Sequence, residues 1–305
     1  MKIRVFSADK FVYLVGLNLA ILVVLFALVV YVLAVKSAPS ILSLGAGLLG
    51  SVWNTDEGRY GLLAPLLGSV LVTVYSIPLI IVFSIPLVVL AEEYLRGLAG
   101  KLVNLVIDMS AGLPTVIYAY IGLAFMSNVL KDWLERPLHE LLGFLPLFAC
   151  RPLTGQNLMT ATVILSISAV PYMAALVRES LRMIPKSYVE ASYSIGLYKE
   201  EVILMKLSMV RPAIVSALLL SSSRVLTETT IVSLVAGNQY VITPCALSPV
   251  STIPSLIVNN FGYSVMYPLL DSVLFASSLI LFVLSLSLNA AGLYLNKRFR
   301  VVVSE

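Results

Sequence analysis

Residues 178–238 read RESLRMIPKSYVEASYSIGLYKEEVILMKLSMVRPAIVSALLLSSSRVLTETTIVSLVAGN. The part from 182 to 208 is a polar, charge-bearing connector between two apolar spans. The second of those spans carries Arg224 and, four residues on, Glu228 in an otherwise apolar run. One half of the stretch is suited to being moved from the water side. The other is suited to meeting an anion inside a bilayer. The remainder of the chain reads as scaffold for that connection.

Working outward, the 305 residues are 59% hydrophobic and only 12% charged, with a mean hydropathy of +0.99. Soluble domains carry about 25% charged residues, and several runs here exceed the ~18–20 apolar residues that cross a bilayer core. The fold class expected is therefore an all-α, multi-pass membrane protein. Spans are placed at 11–35, 64–91, 98–127, 157–180, 209–237 and 271–295, six transmembrane helices in all. The basic N-terminus ahead of Phe11 resembles a signal peptide, but the apolar run to Val35 is longer than the ~7–15-residue core of one and reads as a retained first span. Pro78 and Pro86 inside the second span, and Gly112-Leu113-Pro114 inside the third, are candidate breaks.

Basic residues set the orientation. Lys2, Arg4, Lys10, Arg96, Lys101, Arg178, Arg182, Lys186, Lys199, Lys206, Arg211, Lys297, Arg298 and Arg300 share one side. The other holds Lys36, Arg59, Lys131, Arg136 and Arg151. Both termini are expected in the cytoplasm, with 1–10 as the cytoplasmic N-terminus and 296–305 as the cytoplasmic tail. Between them, 11–63 forms the first span with its outer loop, and 64–295 the core region. The net charge of +4 follows from this one-sided gathering. No interleaved basic and aromatic patch points to nucleic acid, so membrane lipid is the expected surround.

Two outer segments are long. Residues 128–156 include KDWLERPLHELLGF, a piece that fits the membrane interface, and the sole histidine, His139, lies in it as a surface residue. Residues 238–270 are punctuated by prolines, and SLIVNNFGYS within them fits a short helix. Cys150 and Cys245 both fall outside. A disulfide between them and two unpaired thiols both remain open. No metal-ligand spacing is present.

In the connector, Pro185 and Lys186 fit the start of a short helix, and Gly196 fits its end. Glu190-Ala191-Ser192, three residues, then Gly196 would give helix, glycine turn, helix: a knob that passes rigid-body motion to the flanking spans. An amphipathic inner loop is the plainer reading. The spacing resembles the Glu-Ala-Ala…Gly motif of ABC-importer permeases, with Ser192 in the third place. The Leu-Pro that follows the glycine in that family is missing; Leu207-Ser208-Met209 stands there.

In the fifth span, Pro212 to Arg224 is about 18 Å of helix at ~1.5 Å per residue, which puts the guanidinium near mid-membrane. A charge there costs about 2.5–3.5 kcal/mol on insertion scales. On one continuous helix, Arg224 and Glu228 share a face, so an ion pair locking helices together is one reading. In the functional reading Arg224 lines a substrate path, because its planar fork suits an oxyanion and stays charged. Glu228 then holds it or accepts from a protonated substrate oxygen, with Ser223, Thr227 and Thr230 as secondary donors. Arg224-Val225-Leu226-Thr227-Glu228-Thr229 resembles the Arg-Ala-Leu-Gly-Glu-Thr of phosphate-uptake ABC permeases, with Thr227 in place of glycine. VAGN (235–238), GLPTVIYAYIGL (112–123), AVPYMAALVRESL (169–181) and IPSLIVNNFGY resemble the C-type rather than the A-type subunit.

The resemblance implies a type I ABC importer permease fold. It also implies a second, A-type permease subunit, two cytoplasmic ATPase subunits docking on Glu190, Ala191, Ser192 and Gly196, and an external phosphate-binding protein. Phosphate would pass Arg224, Glu228, Thr227 and Ser223. The chain itself has no G-x-x-x-x-G-K-[ST] loop, so ATP and Mg would sit on the partner ATPases and this chain would bind no cofactor. The alternatives are a permease for sulfate, molybdate or tungstate and, from another class, an ion-coupled carrier, for which Glu228 is the one clear mid-span carboxylate. A membrane-embedded enzyme has no nucleophile constellation behind it.

Overall fold

The computed structural model describes residues 8–304, with side chains for residues 12–297. Lys2 and Arg4 of the N-terminal segment lie outside the described residues, as do the side chains of Lys10, Arg298 and Arg300. Four helices are long and apolar enough to cross a membrane, and the number reaches six if each of two bent pairs is one span.

Helix α1 (Ala8–Leu44) is apolar on every side, and its side chains from Val12 to Val29 are exposed. A helix of that kind faces lipid or another protein. It leans antiparallel on the final helix, α11 (Leu270–Ser304), through Phe26 on Phe282 at 5.9 Å and through Ser272, whose hydroxyl donates to the Lys36 carbonyl at 2.8 Å.

Helix α2 (Leu63–Val89) is continuous through Pro78 and Pro86, with no break at either. It then widens into a π turn over Leu90–Tyr94. The neighbouring helix α5 (Leu158–Arg182) runs parallel to it, and the two share the main core with Val72, Ile80, Leu165 and Met173 buried between them. Lipid tails are as apolar as leucine, so small residues and short polar contacts do much of the joining. Gly122 is one such point: a Cβ there would collide with the side chain of Ile164 on α5. Ser216 is another, donating to the Gly292 carbonyl at 2.6 Å.

The third expected span, 98–127, breaks at its candidate point and runs on further than expected, to Leu142. It divides into α3 (Gly97–Ala111) and α4 (Thr115–Leu142), set at 92° to each other. The cause is Gly112-Leu113-Pro114, since the residue before a proline is driven out of helical geometry. Helix α4 absorbs most of the polar piece assigned to the interface. Its Glu135 is fully buried, accepting hydrogen bonds from Asn157 Nδ2 and Thr160 Oγ1, both at 2.8 Å. A buried carboxylate with both oxygens satisfied can stay in a packed helix.

The connector forms α6 (Lys186–Ser194) and α7 (Lys199–Met209). After a 62° bend the chain continues as α8 (Arg211–Thr227), then the short α9 (Thr230–Val235). The fifth span expected over 209–237 is thus two helices with Glu228 and Thr229 between them. Residues 253–261 form α10 (Ile253–Phe261), as SLIVNNFGYS suggested.

Helix α5 places the connector and the segment around Cys245 at opposite ends of the bundle. At its start, Met159 N donates to the Ala246 carbonyl at 2.7 Å. At its finish, Arg182 leads into α6. Cys150 and Cys245 are paired as a disulfide, their Cα atoms 6.2 Å apart, which decides the open question in favour of the bridge. The same end carries a small hairpin, Trp53–Asn54 against Arg59–Tyr60, and a second apolar cluster with Leu48, Leu62, Leu256 and Leu270. Trp53 stacks on Tyr240 with ring centres 5.5 Å apart.

Candidate functional site

Helix α8 opens with Arg211-Pro212, where a missing N–H costs nothing, and carries Arg224 in its last turn. The guanidinium is half-buried and lies over the ring of Tyr172 on α5, 5.1 Å from its centre. Among the described residues Arg224 enters no ion pair. A cation on an aromatic face is worth about 0.5–2 kcal/mol and leaves the N–H fork free to meet an anion.

Glu228 sits elsewhere than on the shared helical face. Its backbone is extended (φ −68°, ψ 126°), α8 ends before it, and its Oε1 accepts from the Thr230 amide at 3.1 Å. The expected pairing one turn beyond Arg224 is therefore corrected: the Glu228 carboxylate instead takes the first amide of α9. The sequence explains the break. Thr227, Thr229 and Thr230 surround it, and threonine hydroxyls compete with the helix for backbone partners. Thr227 Oγ1 donates back to the Ser223 and Arg224 carbonyls at 3.1 and 3.2 Å, and Thr229 Oγ1 to the Thr227 carbonyl at 3.3 Å. Ser223 is buried and turned to α11, its hydroxyl 2.9 Å from that of Ser285. So the structure brings Arg224 together with Tyr172, keeps Thr227 exposed beside it, and places Ser223 and Glu228 in joints between helices. Tyr172 escaped sequence reading because an aromatic in an apolar helix looks like core; its place in PYMAALVRES, ahead of Arg178, gave no further signal.

The knob is helix, glycine turn, helix. Gly196 has φ +88°, which a side chain would strain, and it follows the C-cap of α6, Ile195. Leu197 N donates to the Ser192 carbonyl at 3.2 Å, closing the end of α6. Glu190 and Ala191 are exposed, while Ser192 is buried against α7 with its hydroxyl 3.0 Å from Met205 Sδ. A small residue fits there, as alanine would. The glutamate of α7's first turn, Glu201, accepts from the Tyr198 amide at 2.8 Å and closes the start of α7. Ile195 and Tyr198 stand at the tip, 79% and 76% exposed.

Comparison with known proteins adds four findings. The family described as binding-protein-dependent transport system inner membrane component matches residues 46–301. A probable phosphate transport system permease protein PstC of Methanocaldococcus jannaschii is 34% identical over 301 residues, covering 97% of this chain and 96% of its own. The phosphate transport system permease protein PstC of Xylella fastidiosa is 30% identical over 69% of this chain and 66% of its own. Among solved structures, a chain of the MetNI methionine ABC transporter in an inward-facing conformation superposes with a TM-score of 0.54. It is 18% identical and covers 79% of this chain and 95% of that one, a likeness of fold.

Proposed function

Because the chain belongs to the binding-protein-dependent transport system inner membrane components, we propose that it is the C-type translocation subunit of an ATP-driven phosphate importer. Relatives named as phosphate permeases along nearly the whole chain support this. The observation that carries it is Arg224, a permanent cation held half-buried on Tyr172 and outside any ion pair among the described residues.

In this reading the chain sits in the cell membrane with both termini in the cytoplasm and pairs with an A-type permease. Two ATPase subunits, holding ATP and Mg, grip the knob at Glu190, Ala191 and the Gly196 turn. A binding protein delivers phosphate at the disulfide end. Closure of the ATPases displaces the knob and turns the path from one side to the other. Arg224 offers its fork to the dianion as water is stripped from it, with Thr227 as a hydroxyl donor, while Glu228 and Ser223 fix the helix joints around it. The chain itself performs no chemistry.

Uptake of labelled phosphate by the complete transporter in proteoliposomes tests this. ATP-dependent uptake, competed by unlabelled phosphate and not by sulfate or molybdate, is expected. Stronger competition by sulfate assigns the path to another oxyanion, and uptake driven by an ion gradient without ATP overturns the ABC reading.

A further inference from the structure

The end of α2 holds both limbs of the connector at once. Three consecutive residues of its π turn each engage a cation from a different position. Glu92 takes Arg182, at the close of α5, through two bonds: Nε to Oε2 at 2.9 Å and Nη2 to Oε1 at 2.7 Å. Glu93 takes Lys206 of α7 at 2.7 Å, and both of those side chains are only 17% exposed. The Lys199 ammonium of α7 lies over the ring of Tyr94, 4.0 Å from its centre. Meanwhile α6 stands off from this grip across a cleft of about 360 Å³ lined by Lys186, Val189 and Glu190 on one side and Glu92 and Glu93 on the other.

We propose that Glu92 and Glu93 are positioning residues that carry movement of the knob into α2. The connector also reaches α2 through the core that α2 shares with α5 and α8, and the glutamates add a polar joint at its cytoplasm-facing end in the proposed arrangement. The knob has a glycine turn at Gly196 and a 62° bend between α7 and α8, so it could pivot at both without displacing the spans. Because α6 faces Glu92 and Glu93 across the cleft, the polar contacts that tie the connector to the end of α2 run through α7 and through Arg182, and the two glutamates are where those meet it. One exposed pair would do little. A two-bond arginine contact beside a largely buried Lys–Glu pair is stiffer, because breaking the second strands a charge away from water.

This inference rests on the reading of the connector as the place where the ATPases push, and the test separates the two. Glu93→Lys, Lys206→Glu and the double exchange are made in the complete transporter, and phosphate uptake and ATP hydrolysis are measured on the same proteoliposomes. Each single variant should keep its ATPase partners and hydrolyse ATP while carrying roughly tenfold less phosphate per ATP, and the exchange should restore most of that ratio. Unchanged transport per ATP in both single variants overturns the proposal, as does an exchange that assembles fully without recovery. Hydrogen exchange on the purified full chain gives a second readout independent of the cargo. Residues 90–95 and 199–209 should loosen together in each single variant and tighten in the exchange; protection equal to the parent in both singles overturns the clamp. A parent complex that takes up no phosphate counts against the proposed function alone.

Discussion

A guanidinium resting on a phenol ring is positioned by shape as much as by charge, so Arg224 and Tyr172 should fail differently when replaced. Arg224→Gln keeps length and removes the charge. Uptake should fall below detection while the partner subunits still co-purify; uptake within twofold of the parent, taken as the limit of a uniform binding change of about that size, would place the residue off the path. Tyr172→Phe keeps the ring and should transport normally. Tyr172→Leu should raise the half-saturating phosphate concentration by roughly 2–30-fold, the span of a lost cation–π contact of about 0.5–2 kcal/mol, with less change in maximal rate. A fall in rate alone, shared by the phenylalanine variant, would mean simple packing damage. Arg224 was legible in the sequence because a charge inside an apolar run has few reasons to be there. The place of Glu228 was not. Spacing assumes an unbroken helix, and here a carboxylate and two threonine hydroxyls draw off the backbone groups that would have continued it.

At the scale of elements, the connector was legible almost to the residue, because proline and glycine act on the backbone directly. Pro185 precedes α6 and Gly196 ends it with φ +88°. An alanine there pays the left-handed penalty of about 1–2 kcal/mol. Gly196→Ala should therefore weaken retention of the ATPase subunits on affinity purification, and Gly196→Asn, which tolerates that backbone region, should retain more of them. Equal retention by all three would show that the turn's shape does not matter to docking. The course of α4 was less legible. The Gly-Leu-Pro break was visible, yet KDWLER reads as an interfacial piece by composition, and only the facing Asn157 and Thr160 make a buried Glu135 tolerable within the helix. The grip of α2 on the connector was hidden for a similar reason. Acidic residues at the end of a span are ordinary, and nothing local in the sequence says that they meet Arg182 and Lys206, far along the chain.

For the whole molecule, two unrelated features orient the bundle in the same sense. Helix α1 rises to Leu44 beside the start of α11, and α11 descends from there, so the first and last described helices both have their free ends at the connector end. That end also gathers Arg96, Lys101, Arg178, Arg182, Lys186, Lys199 and Lys206, the bias that keeps a segment in the cytoplasm. The opposite end holds the Cys150–Cys245 bridge, which persists where the surroundings are oxidising. Charge acts during insertion and the disulfide afterwards, so neither feature explains the other, and both agree with the orientation taken in the proposed function. The two native cysteines are already paired, which leaves a quiet background for single cysteine probes. Glu57→Cys lies in the exposed hairpin turn and Ile195→Cys at the knob tip. A membrane-impermeant maleimide should label the first in intact cells and the second only after permeabilisation. The reverse pattern would invert the molecule and put the knob out of reach of any cytoplasmic ATPase, while labelling of both without permeabilisation would mean that the bent pairs do not cross as spans.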